Sequence, residues 1–382
     1  MKKSRILLIF MVILFCLLLS ACQSGKQQIY ANYNFFGTTL KAVVYANNDS
    51  FNSFKNKCDK TLESINQALN EDIKDSDIYK FNNAKDNEII EVSEVCYQLI
   101  SKAKEIHSLT LGAYNPCVYY LVDLWGFSPR FSYNDNMQEP YDRDFDDDGF
   151  LPLPDNEYIE AFAALADFDK VKLNRQDDKY FLYKENSKMM LDGYEYYVKI
   201  DIGGLIKGYA IDVLTNEAKT LGLTKGYISY GTSSISILEN KKGDSWELTL
   251  TNPRFTDKGK ETFIMLPVKN KQVSSSGDYE RYYEKEGKRY SHIIDASSGR
   301  PIDNGVCAVT VLCDNAMLAD MLSTAFCVLG KDKTLELITA EYFVEKNIQV
   351  ILTYIAGDKM EIYTSDIEYV NILDERYIIY KL

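Results

Sequence analysis

Helical and strand signals follow one another along this chain without a repeating strand–helix–strand period, and that irregularity limits the fold more than any single motif does. Residues 51–70 carry Phe51, Phe54, Cys58, Leu62, Ile65 and Leu69 at three- and four-residue spacings, which predicts an amphipathic helix. Ser93 predicts the N-cap of a second helix running to about His107, with His107 placed to cap carbonyls at its end. Asp155 predicts the cap of a helix over LPDNEYIEAFAALA, and FDKVKLN with KYFLYKE predicts a strand pair. GLIKGYAIDVLTNEAKTLG and AMLADMLSTAFCVLG read as helices ending near Gly222 and Gly330. Between them YISYG, ISIL, WELTLTNP, TFIMLPV and CAVTVLC read as strands, with Trp246, Leu248 and Leu250 alternating as a half-buried strand requires. The tail reads as a helix followed by the strands IQVILTYI and KMEIYT. The class is α+β, with mixed or antiparallel sheets flanked by helices.

The chain opens with Lys2, Lys3 and Arg5, followed by an apolar run from Ile6 to Leu19 and then Ser20, Ala21 and Cys22. That is the layout of a secretory signal, too short and too early for a membrane span. LLSAC resembles a bacterial lipobox, so residues 1–21 are expected to be a lipoprotein signal peptide and Cys22 the lipidated residue. Residues 22–32 then form a tether and residues 33–382 the folded domain. The expected location is the cell membrane, lipid-anchored on the extracytoplasmic side. Loss of residues 1–21 removes three positive charges and takes the net charge from −13 to −16. So acidic a chain, without a basic stripe, excludes a nucleic-acid partner.

Cys58, Cys96, Cys117, Cys307, Cys313 and Cys327 remain beyond the leader, with no CxxC pair, so zinc-ribbon and thioredoxin readings lack support. Several fall at apolar positions of helices or strands, where buried free thiols are common. Residues 132–154 form an acidic insertion in which Asp144, Asp146, Asp148 and Gly149 match the start of a calcium loop. Pro152 and Pro154 interrupt its second half and Asp155 replaces the closing Glu, so a solvated acidic loop is the reading taken.

Three stretches carry chemistry. In DIGGLIKGYAID, Gly203 and Gly204 stand at a strand-to-helix junction that exposes backbone amides to a phosphate, with Lys207 one turn in and Asp201 before it. In LADMLSTAF, Asp320 and Thr324 are four apart on one helix face, a sparse oxygen set that suits Mg²⁺; an exposed Asp and a Thr bonding back to its own helix is the blander reading. In SSGDYERYYEKEGKRYSHIIDASSG, a hairpin with the tip EKEGKR should bring Gly277 and Asp278 near His292. His292 and His107 are the only two histidines of the chain.

These stretches, in this order and with SDIYKFN and GAYNPCVYYLVDLWGF upstream, resemble the ApbE family of FAD:protein FMN transferases over about residues 33–330. The resemblance implies an ApbE-like fold and a Mg²⁺-dependent transfer of FMN from FAD to a threonine of an exported partner, with release of AMP. It implies a metal held by Asp320, Thr324 and the Gly204 carbonyl, and FAD contacts from Asp201 and Lys207. Ala113, Tyr114, Asn115 and Ile294 would line the flavin site, and Phe36, in the place of a family methionine, would join them. His292 would act as general base toward the threonine hydroxyl or bind the phosphate. Asn115 stands where the family has Asp, and Asp72 where an aromatic is common. The expected acceptor carries a D-x-x-[ST]-G-A-T-like segment, and DASSGRP (295–301) has no threonine in place to serve as one. Two alternatives share the site: an FAD pyrophosphatase giving FMN and AMP, and an FAD-binding lipoprotein without chemistry.

Overall fold

The structure, a computed structural model, describes residues 25–128, 153–255, 259, 261–357, 359–365, 367 and 370–382. Cys22 and the acidic insertion up to Pro152, with Asp144, Asp146 and Asp148, lie outside the described residues. A nine-stranded sheet organises the rest, and its spatial order follows chain order. Its strands are β1 (Lys26–Phe35), β2 (Thr38–Ala46), β3 (Gly226–Tyr230), β4 (Ser234–Ile237), β5 (Lys271–Gly277), β6 (Val306–Cys313), β7 (Gln349–Ala356), β8 (Lys359–Thr364) and β9 (Tyr377–Lys381). Neighbours pair antiparallel except β8 with β9, which run parallel. The α+β expectation holds, but the folded domain starts earlier than expected: Lys26–Ala31, read as tether, pair with β2 as the first part of β1.

Both faces of the sheet are covered. On one lie α1 (Asn48–Leu69), α2 (Glu94–Leu109), α3 (Gly203–Thr220) and α4 (Ala316–Leu329), whose Phe54, Leu99, Leu214 and Phe326 share a core with Leu40, Ile228 and Val309. On the other, strands Trp246–Thr251 and Thr262–Val268 bring Ile264 and Leu266 against Val273, Leu312 and Ile362. Every residue of β6 is buried; Val309 and Val311 enter the helical core, Cys307 and Leu312 the opposite one. Double coverage explains why CAVTVLC is an apolar run while Trp246–Thr251, buried on one side, alternates as expected.

Local signals set the helix ends. Ser93 Oγ accepts from Cys96 N at 3.2 Å and caps α2. Asn47 accepts from Ser50 N at 2.8 Å, so α1 starts before the apolar spacing shows it. Asp155 holds the N-cap position of helix Asn156–Leu165 without a side-chain bond to it. His107 corrects the expectation: Nδ1 donates to the Tyr114 carbonyl at 2.7 Å and folds the 110–117 loop back, instead of capping its own helix. The six cysteines are buried free thiols.

The site depends on how α3 and α4 meet. A Cβ on Gly208 would lie 2.3 Å from the Ala316 carbonyl oxygen and 2.6 Å from Met317 Cα, so only glycine allows this approach. Four residues on, Asp212 accepts from the amides of Ala316 (2.7 Å) and Met317 (2.9 Å), and Asn315 accepts from Leu318 at 2.8 Å. The first three free amides of α4 are thereby satisfied. Gly208→Ala should cost about 1–3 kcal/mol or more, as overpacking does, measured by urea unfolding; unchanged stability would contradict this contact.

Candidate active site

The motifs converge on a cavity of about 170 Å³. Asp201, Gly203, Gly204 and Lys207 line it from the start of α3, and Ala113, Tyr114 and Asn115 from the loop after α2. His292 and Ile294 close another side, and Thr324 reaches it from α4. Asp320 lies just beneath, 2% exposed, with its Oδ1 4.0 Å from Lys207 Nζ. The exposed-Asp reading therefore fails, although Thr324 Oγ1 does bond back to the Asp320 carbonyl at 3.3 Å.

Backbone geometry links the α3 entry to Asp320. Gly203 N–H donates to Asp201 Oδ1 at 2.7 Å, and Asp201 N–H donates to the Pro116 carbonyl at 2.7 Å, joining the two lining loops. Gly208 N–H, the amide that helix geometry assigns to the Gly204 carbonyl, donates to Asp320 Oδ2 at 3.1 Å. Behind Asp201, the Asn82 carboxamide pairs both ways with the Ile200 backbone, each bond 2.9 Å. Lys184, fully buried, holds the end of helix Asp77–Asn83 through the Ala84 carbonyl at 3.0 Å, and burial pushes its ammonium down to about 7.

Some residues take other places than expected. Phe36 is not among the cavity-lining residues; it packs on Phe35, ring centroids 4.8 Å apart. Asp278 is not among the residues that line the cavity with His292; it forms a bidentate pair with Arg254, one bond 2.7 Å, because a part-buried carboxylate needs a cation. Asn115 lines the cavity, yet its carboxamide is engaged, donating to the Ala166 carbonyl (2.7 Å) and accepting from Cys117 N (2.8 Å). An aspartate could not make the first bond. Ser275, Ser276, Glu280 and Arg281 also line the cavity and were missed, although SSSGDYER sits directly before the hairpin.

His292 is fixed by the Arg281 carbonyl, which accepts from its backbone N–H at 3.0 Å and faces its Nδ1 at 3.2 Å. A carbonyl only accepts, so Nδ1 carries the proton of the neutral ring and Nε2 keeps the lone pair. Burial, with Arg281 and Lys207 nearby, pushes the imidazolium down to about 3. At neutral pH this ring is an uncharged acceptor. A larger cavity of about 560 Å³ opens by Trp125, Tyr290 and Arg300, and none of Asp201, Lys207, His292 or Thr324 lines it.

The sequence profile of the ApbE family matches residues 36–352. An FAD:protein FMN transferase of Haemophilus influenzae is 28% identical over 345 residues, spanning 89% of this chain and 90% of its own. The Escherichia coli K12 protein of the same name is 30% identical over 287 residues, 75% of this chain and 74% of its own. In fold, the Pseudomonas stutzeri flavinyl transferase ApbE, in apo form, superposes with a TM-score of 0.70 at 23% identity, over 89% of this chain and 95% of that one. Profile match, relatives and fold agree, and the chain belongs to the ApbE family.

Proposed function

We propose that this protein is an FAD:protein FMN transferase that works with Mg²⁺, attaches FMN to a threonine of an exported protein and releases AMP. The observation that carries the proposal is the convergence of Lys207, Thr324 and His292, from three separate motifs, on one cavity above Asp320. The enclosed space is below the roughly 300–1,000 Å³ of a full ligand pocket, so it would hold the reacting end of a dinucleotide with the remainder at the surface. Among the described residues no group of three or more His, Cys, Asp or Glu could hold a metal. One buried carboxylate, the Thr324 hydroxyl and the Gly204 carbonyl still fit Mg²⁺, which keeps waters and shares phosphate oxygens. Gly208 N–H, in bonding Asp320, lightens the claim on the Gly204 carbonyl and favours that set. When bound, the ion neutralises charge on the pyrophosphate oxygens.

The chain's own groups do the rest. Lys207, the positive end of the α3 dipole and Asp201 orient FAD, with the pyrophosphate over Gly203 and Gly204. His292 Nε2 takes the threonine proton as the threonine oxygen bonds to the FMN-side phosphorus. The bridging P–O bond breaks, and AMP leaves with its electrons. A bound pyrophosphate offsets Arg281 and Lys207, so His292 becomes a stronger base when substrate is present. Incubated with FAD, Mg²⁺ and an acceptor domain carrying D-x-x-[ST]-G-A-T, the purified protein without residues 1–22 should add one FMN by mass spectrometry. EDTA or Asp320→Ala should abolish the gain. AMP with free FMN would mark a pyrophosphatase, and intact bound FAD a carrier; either result overturns the transferase.

An unfolded histidine binds its proton near pH 6.5, whereas folded His292 resists to about 3. Folding stability contributed by this group is therefore intact above about 6.5 and falls as pH drops toward 3. His292→Gln should flatten that loss in thermal unfolding between pH 7.5 and 5. In the parent NMR spectrum His292 should fail to titrate over that range, and its titration near 6.5 would contradict the assignment.

We propose also that the protein is held at the membrane by lipid on Cys22, supported by the lipobox-like LLSAC. Cys22→Ala should move it from the membrane fraction to the soluble extracytoplasmic fraction; retention in the membrane would count against the anchor.

A further inference from the structure

We infer that Ser234 and Ser274 are positioning residues that aim the Asp320 carboxylate, an assignment that rests on the metal-dependent reading above. The two serines stand directly opposite each other in the β4–β5 pairing. They are 1% and 0% exposed, so water does not compete for their hydroxyls. Their oxygens are 3.0 Å apart, and each also contacts Asp320 Oδ1, at 3.3 Å from Ser234 and 3.1 Å from Ser274.

Proton accounting limits what this trio can do. Two hydroxyls carry two protons for three contacts, and an ionised carboxylate only accepts. Either both serines donate to Oδ1, or one donates to the other, which then donates to Oδ1. In every such arrangement Oδ1 receives a hydroxyl proton, and removing one serine frees the other to donate. Oδ2 is held independently by Gly208 N–H at 3.1 Å. The sheet thus fixes one oxygen and α3 the other, leaving the carboxylate no free rotation about Cβ–Cγ. Ser276 does similar work beside it, its Oγ 3.2 Å from Thr324 Oγ1 and 2.8 Å from Ser323 Oγ. Outer partners of this kind typically change metal affinity by 10–100-fold when removed.

The mutual backup predicts a non-additive pattern. Mn²⁺ binding to the metal-free full-length chain, followed by loss of the free-ion EPR signal, reports it without turnover. Ser234→Ala and Ser274→Ala should each weaken Mn²⁺ about threefold or less, and the double variant 10–100-fold. Restoring one hydroxyl, as in Ser234→Ala with Ser274→Thr, should recover most of the affinity. A merely structural role predicts a lower melting temperature with Mn²⁺ affinity unchanged within twofold in the double variant, and that result overturns the inference. Asp320→Ala separates the two levels. If it abolishes Mn²⁺ binding while the double serine variant does not weaken it, only the serine assignment falls. If it leaves binding intact, the metal reading falls and the serine assignment with it.

Discussion

The close approach of α3 and α4 is the contact on which the site depends. Gly208 carries no side chain where the Ala316 carbonyl passes, and Asp212 closes the amides that open α4. With the helices at this distance, Asp320 on one meets the Gly208 amide on the other. That single bond ties the carboxylate proposed as a metal ligand to the helix whose first turn, Gly203 and Gly204, lines the cavity. A side chain at Gly208 would separate them. Gly208 and Asp212 of DIGGLIKGYAID thus serve packing and chemistry together, since both need the backbone of α3 within hydrogen-bond reach of α4.

A protein of net charge −13 makes a poor general host for an anion, so the field must be arranged locally. Lys207, Arg281 and the start of α3 gather on one cavity and supply that local field, set against the carboxylates of Asp201 and Glu280 on the same lining. Burial first, and then the same cations, keep the His292 imidazole uncharged. Under the proposed function this coupling has direction: an empty site holds a weak base, and an arriving pyrophosphate strengthens it when a proton has to move. Asp278, which could have cancelled the field, is occupied by Arg254.

Much of this was legible in the sequence where the cause is local. Ser93 capped α2 as read, the apolar spacing of 51–70 found α1, and Gly330, at φ +80°, ended α4. Asp201, Lys207, His292 and Thr324 were assigned to one site through motifs, and they do share a cavity. What escaped was non-local. Asp278 looked like a site residue because a hairpin joins its ends, but the partner that claims it, Arg254, is 24 residues upstream. Asn115 looked like a lost charge until the Ala166 carbonyl, far along the chain, showed why an amide serves there. Ser234 and Ser274 carry no signal of their own, and only strand register brings them together over Asp320.

The central claim is that the pyrophosphate of FAD lies over the α3 N-terminus in the cavity of Lys207 and His292. A crystal structure of the protein with FAD and Mg²⁺ tests it most directly. Phosphate density is expected between Lys207, Thr324 and His292, with the ion against Asp320. Ordered FAD in the cavity by Trp125, Tyr290 and Arg300, with the α3 site holding only water, would contradict it.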